Sequence, residues 1–335
     1  MSFLKKYIRI FISIVLIAVV IKMGLVKFDD IILSLENPLI VVSGIVCLIM
    51  QTFVFALRWK TVVSAHLNSS TTNKHSYDTP TAIRHNLIGQ FFNFFIPSGV
   101  GGDLVKAYIV SKEENITKHN SFSLVTVDRV LGLFSLILFS TIFLFAEYLK
   151  GMPDNLTYFL HISLALLTLA CGGLIIIYKS DRVIKRLKPI ASQRLVKVFI
   201  NFLEHTHTNM RICLQNKVFF KILSTSFLAQ ILSISFIYFV TTNQTGQLIS
   251  LLQFIPLACF AFMSSAVPLT PAGIGVGQAA FYFIFSFINT PVALAATVAI
   301  SLIQFFQLVI SLPGGYFFIM NKKAIKNIIQ ESTGS

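Results

Sequence analysis

Long apolar runs separated by short charged patches set the pattern of this chain. A helix needs about 20 mostly apolar residues to cross a bilayer. Six segments meet that length, at 7–26, 38–57, 121–146, 156–178, 219–241 and 292–318, and each predicts a full transmembrane helix. The first follows Lys5, Lys6 and Arg9 in the manner of a signal peptide. No small-residue cleavage site follows it, so it reads as an uncleaved span with Lys22 snorkelling to the far interface. The last contains Pro313-Gly314-Gly315 and is expected to kink or end early there.

Two further apolar stretches are broken from within. The stretch 83–110 is cut by Pro97-Ser98-Gly99-Val100-Gly101-Gly102, and the stretch 249–287 by Pro268-Leu269-Thr270-Pro271-Ala272-Gly273-Ile274-Gly275. Exposed backbone at membrane depth is costly, so such breaks survive where protein or a wet cavity satisfies the freed N–H and C=O groups. The two breaks share the pattern P-[S/A]-G-[V/I]-G, at 97–101 and 271–275, with three predicted spans between them. An odd number of spans inverts the second copy, as in transporters built from inverted repeats. Close helix packing on small residues is the simpler reading of the same glycines. The fold class predicted is an all-α polytopic membrane protein. It has about six full transmembrane helices plus two broken or re-entrant helical hairpins in an inverted-repeat arrangement.

Composition agrees with this pattern. Of 335 residues, 55% are hydrophobic and 12% are charged, with mean hydropathy +0.78. Soluble domains carry about 25% charged residues. The net charge is +14, which in a soluble protein would suggest nucleic acid. Here the charge lies in loops. The 27–37 loop holds three acids against Lys27, whereas 179–221 holds ten Lys or Arg against two acids. The positive-inside rule then places both termini and the long basic loop in the cytoplasm, with the chain in the cytoplasmic membrane. Residues 1–320 are expected to form one transmembrane domain and 321–335 a short cytoplasmic tail. Residues 179–221 read either as an amphipathic helix pair on the membrane surface or as a solvated loop. The four cysteines are far apart and show no metal or disulfide spacing.

Candidate chemistry gathers at the breaks. Asn93, Pro97, Ser98, Gly101, Gly102, Asp103 and Lys106 surround the first. Successive glycines and a helix start aim N–H groups at one space, which suits a phosphate or carboxylate. Asp103 argues against a simple anion nest, and reads as a helix cap, a partner of Lys106 or a contact for a cationic head group. Asp128 and Arg129 lie early in the third span, where ionisable groups usually face a bundle interior or cavity. They are expected to pair with each other or with the first break, or to sit at the interface. Thr270, Pro271, Gly273, Gly275 and Gln278 mark the second break, preceded by Ser264 and Ser265. Gln304 and Gln307 share one face of the last span and are expected to bond between helices. No Walker loop or HExxH motif is present and no paired carboxylates sit in a plausible pocket, so no enzyme, cofactor or metal is expected.

These residues carry a family resemblance. Asn93-x-x-x-Pro97-Ser98-x-x-Gly101-Gly102-Asp103-x-x-Lys106-Ala107-Tyr108 resembles a signature of the lysylphosphatidylglycerol synthase transmembrane region, also called the flippase-like domain family. Asp128-Arg129-Val130-x-Gly132, Pro268-x-Thr270-Pro271-x-Gly273-Ile274-Gly275-Val276 and the pair Arg58-Trp59 resemble further elements of it, in the expected order. Three positions depart from the pattern. Lys106 stands where Arg is usual, which keeps the charge and loses bidentate geometry. Ala272 replaces a glycine, and Gln278 stands where many members carry Glu. The resemblance implies translocation of a phospholipid or related polar lipid without ATP hydrolysis. In two-part members a soluble C-terminal domain aminoacylates the lipid, and this chain is expected to lack it. The implied partners are membrane phospholipids, with a separate lipid-modifying enzyme as a further candidate and no nucleic acid. Two other readings stay open, a non-transporting scaffold for a lipid or polysaccharide synthesis system and a lipid-linked glycosyltransferase.

Overall fold

The computed structural model describes residues 28–70, 77–96, 101–151, 153–179, 194–266 and 270–333. Among these residues there are α-helices, one 3-10 turn and no strand. A short helix, α1 (Phe28–Glu36), precedes α2 (Pro38–Ser70). Then come α3 (Thr79–Phe95), α4 (Gly101–Glu113), α5 (Lys118–Tyr148), α6 (Asp154–Lys179), α7 (Arg194–Cys213) and α8 (Asn216–Thr245). The chain closes with α9 (Leu251–Ser265), the turn Pro271–Gly273, α10 (Val276–Phe285) and α11 (Thr290–Thr333). Five helices, α2, α5, α6, α8 and α11, are long and apolar enough to cross a membrane. They match five of the six expected spans, and the sixth, 7–26, lies outside the described residues. The chain is an all-α, multi-pass membrane protein.

Two helices run past their expected ends. The span expected at 38–57 continues to Ser70. Beyond Leu57 its turns bury Trp59, Val62, Val63 and Leu67 against a second core with Val110, Leu124 and Met210, so helical packing outweighs the falling hydropathy. Arg58 and Lys60, just past the expected end at 57, therefore stand on this helix. The last helix does not stop at Pro313 but passes through it. Membrane helices tolerate proline where neighbours re-satisfy the freed backbone. Here Gly314 lies against the Leu87 carbonyl and Gly315 against the Phe91 ring, so α3 packs tightly over this turn.

Each broken stretch folds back as a helical hairpin. In the first, Gly89 of α3 faces both Gly102 and Lys106 of α4, which sets the legs antiparallel. Asp78 caps α3 by accepting from the Thr81 N–H at 3.0 Å, and Pro80 sits in its first turn. In the second, Phe254 packs on Phe285 at 4.8 Å and Phe262 on Phe281 at 5.3 Å. Three spans, α5, α6 and α8, separate the hairpins, so they open at opposite ends of the bundle. The larger apolar core joins α9, α10 and α11 to α2, α5, α6 and α8.

Of the helix pair expected in 179–221, one helix is α7, and residues 180–193 lie outside the described residues. This helix docks on the bundle through Asn209, which donates to Ser123 Oγ at 2.8 Å and meets His66 Nδ1 at 2.7 Å. Its last residue, Cys213, is buried, and burial pushes the thiol up to about 12, so it is an inert packing group.

Candidate functional site

The α3–α4 hairpin closes through backbone proximity. A Cβ on Gly102 would strike the Gly89 carbonyl oxygen, so only glycine lets the legs approach this closely. The Gly102 N–H then donates to Asn93 Oδ1 at 3.1 Å. Asn93 thus satisfies backbone at the start of α4. Gly101 backs onto Ile96. Asp103 stands in the first turn of α4, inside the helix and not at its cap. Its carboxylate pairs with the guanidinium of Arg129 on α5.

A second pair lies beside the first. Arg58 Nε and Nη2 donate to the two oxygens of Asp128 at 2.9 and 3.0 Å, a bidentate fork, and Nη1 donates to Ser226 Oγ at 3.3 Å. Gly132, one turn along from Asp128, makes room for the fork, since a Cβ there would lie 3.0 Å from Arg58 Nη1. Asp128 and Arg129 therefore do not pair with each other, but reach α2 and the first hairpin in turn. Lys106 is 7% exposed, with its Nζ 3.9 Å above the centre of the Trp59 ring and 3.5 Å from Asn86 Oδ1. Ring and amide hold this cation. The cluster so joins three cations, Arg58, Lys106 and Arg129, to two carboxylates, Asp103 and Asp128.

Neutral groups hold the second hairpin. Its turn needs left-handed backbone at Ala272 (φ 50°), Gly273 (φ 71°) and Gly275 (φ 86°). Ala272 takes a conformation that favours glycine, the residue that the family pattern implies there. Gln278 Oε1 accepts from the Gly275 N–H at 2.7 Å and anchors the start of α10. Its amide donates to Gln304 Oε1 at 2.7 Å and Ser301 Oγ at 3.2 Å on α11. The Gln278–Gln304 bond is the inter-helix bond expected of Gln304, which also donates to the Ala272 carbonyl in the turn at 3.4 Å. Ser264 and Ser265 donate to their own helix, at 3.0 and 2.8 Å.

The two hairpins meet around a cavity of about 400 Å³. Gln90 and Asn93 line it from the first hairpin, and Ser265, Thr270 and Gly273 from the second. Gln51 and Arg58 of α2, Arg129 of α5 and Gln307 of α11 add to the wall. From α8 come Ser226, Gln230 and Ser233, which lie at i, i+4 and i+7 on one face. Gln51 donates to Ser233, and Gln230 donates to Ser135 Oγ at 2.9 Å. Among the described residues, no acidic side chain lines the cavity.

Of the residues expected to form a site, Asn93, Arg129, Thr270 and Gly273 line this cavity, and Asp103, Lys106 and Asp128 stand behind it. Gln278, Pro271 and Gly275 shape the second turn. Pro97 and Ser98 lie outside the described residues. Sequence reasoning singled out Arg58 only through the Arg58-Trp59 resemblance, and it missed Gln51, Gln90, Gln230 and the α8 serines. The helical spacing of Ser226, Gln230 and Ser233 inside an apolar run was the available signal.

A family profile described as the lysylphosphatidylglycerol synthase TM region matches residues 7–314. A UPF0104 membrane protein of Methanocaldococcus jannaschii is 25% identical over 307 residues, covering 85% of this chain and 85% of its own. A UPF0104 membrane protein of Methanothermobacter thermautotrophicus is 25% identical over 309 residues, covering 88% of this chain and 89% of its own. No solved structure matches the chain. With the match running through both hairpins and four described spans and into the fifth, the chain belongs to the lysylphosphatidylglycerol synthase transmembrane region family.

Proposed function

We propose that this chain moves the polar head group of an anionic lipid across the cytoplasmic membrane, through the cavity between the two hairpins. The acyl chains stay in the bilayer while the head group passes. One observation carries the reading, the surplus of cations over carboxylates in a cluster that feeds Arg58 and Arg129 into the cavity wall. Taking such a charge out of water is costly, and a phosphate arriving among these groups balances it. Amides and hydroxyls on the remaining wall replace the water that the head group sheds. The family is named for the transmembrane region of lysylphosphatidylglycerol synthase, which fits a lipid cargo. On this reading both termini lie in the cytoplasm, on the side of the basic loops. The chain acts on this reading as a carrier and not as an enzyme.

The test is dithionite quenching of fluorescent phosphatidylglycerol in proteoliposomes holding the purified protein. Wild type is expected to expose inner-leaflet lipid at least tenfold faster than empty vesicles, and Asp103→Ala to lose most of that gain. If wild type matches empty vesicles with phosphatidylglycerol and with phosphatidic acid, lipid translocation is wrong.

A further inference from the structure

We infer that the open end of the first hairpin is a proton-binding site, built from His85, Glu113, Tyr77 and Arg84, and that lipid movement by this chain is coupled to its loading. The inference rests on the lipid-translocation reading and adds its driving ion. His85 of α3 is fully buried, at 0% exposure, yet both ring nitrogens meet titratable groups. Nε2 lies 2.8 Å from Glu113 Oε2 on α4, and Nδ1 lies 2.7 Å from the Tyr77 hydroxyl. Glu113 is shared, for Arg84 Nη2 donates to the same oxygen at 2.5 Å. The Arg84 and Glu113 side chains are 34% and 17% exposed, so the group touches solution at the basic end of the bundle.

The proton count follows from hydrogen bonding. Burial pushes the Tyr77 hydroxyl far above its usual range, so it keeps its proton and donates to Nδ1. Neutral His85 then carries its own proton on Nε2 and gives it to the Glu113 carboxylate. Burial holds the His85 ring below its usual range, so it loads from acidic solution, and the incoming proton binds Nδ1. The ring then donates on both sides, and the Tyr77 O–H turns away from it and accepts. No other bond is made or broken, and the cluster gains one positive charge.

That charge lands next to the lipid site. Lys106 lies within electrostatic reach of His85, and the Trp59 side chain that seats Lys106 also stands against the Tyr77 hydroxyl. Glu114 is the remaining charged group within reach of Tyr77. Loading His85 repels Lys106 from its ring and towards Asp103 and Asp128, whose pull it already feels. A lipid phosphate in the cavity and a proton on His85 therefore each change the energy of the other, which is the condition for coupled transport.

Proteoliposomes of the full chain with fluorescent phosphatidylglycerol and trapped pyranine test this. A pH gradient of about one unit is imposed, and each protein is compared with its own rate without a gradient. Wild type is expected to change rate at least threefold, with a pyranine signal, and to lose the response with a protonophore. His85→Gln and Glu113→Gln are expected to show a ratio near one, whereas Glu113→Asp, which keeps a carboxylate for His85 Nε2 to donate to, keeps the response. Gradient-insensitive lipid movement by wild type overturns the coupling and leaves translocation standing. An equal response in His85→Gln overturns the site. No lipid movement in any condition ends both readings.

Discussion

Two ion pairs of similar appearance stand in different surroundings, and they respond differently to substitution. The Arg58 and Asp128 side chains are 13% and 11% exposed, whereas Arg129 is 37% exposed beside Asp103. Arg58→Met strands the Asp128 carboxylate in a dry place, at a cost of about 3–5 kcal/mol. Thermal unfolding in detergent is expected to show that loss, and the double change Arg58→Met, Asp128→Leu to recover most of it. Asp103→Ala leaves a guanidinium that water can reach, so its stability loss stays under about 1 kcal/mol. Its effect is expected in transport instead. A large unfolding shift in Asp103→Ala would make that residue structural. Arg58→Lys keeps the charge and loses the fork, so it falls between wild type and Arg58→Met.

Among the elements, glycines divide by what a methyl group would meet. Gly102→Ala drives a Cβ into the Gly89 carbonyl and Gly314→Ala drives one into the Leu87 carbonyl. Both are expected to lower the unfolding temperature sharply or to block insertion. Gly172→Ala and Gly173→Ala, on α6, meet nothing within 4 Å and are expected to be neutral in the same assay. Close sensitivity across all four would contradict this hairpin geometry. The breaks themselves were readable, because Pro-x-Gly-x-Gly inside an apolar run has few stable solutions in lipid. Five spans were readable from hydropathy alone. The end of α2 was not, since Arg58 and Lys60 look like a loop until Trp59 and Val63 are seen to pack. Asp128 posed the same difficulty. Its partner lies 70 positions away on α2, and no local spacing encodes that distance. Gln278 was readable as a site residue, yet its bonds go to Gly275, Ser301 and Gln304, so its visible task is to hold a turn.

For the whole molecule, the alternation of spans fixes which loops share a side. Gln247, between α8 and α9, and Asn115, between α4 and α5, are both exposed and fall at opposite ends. In a cysteine-free background, Gln247→Cys is expected to react with an impermeant thiol reagent on intact cells, and Asn115→Cys only after permeabilisation. The reverse pattern would overturn the orientation drawn from the basic loops.

The two hairpins are related in sequence pattern but not in charge. The first carries Asp103 and Lys106 near its tip, whereas amides and small residues hold the second. The consequence is electrical. A membrane voltage exerts about 2.3 kcal/mol on each unit charge moved across 100 mV and nothing on a neutral amide. Only one of the two hairpins feels that force directly. Among the described residues, a voltage therefore pulls Asp103 and Lys106 of the first hairpin in opposite directions and leaves the neutral turn of the second untouched.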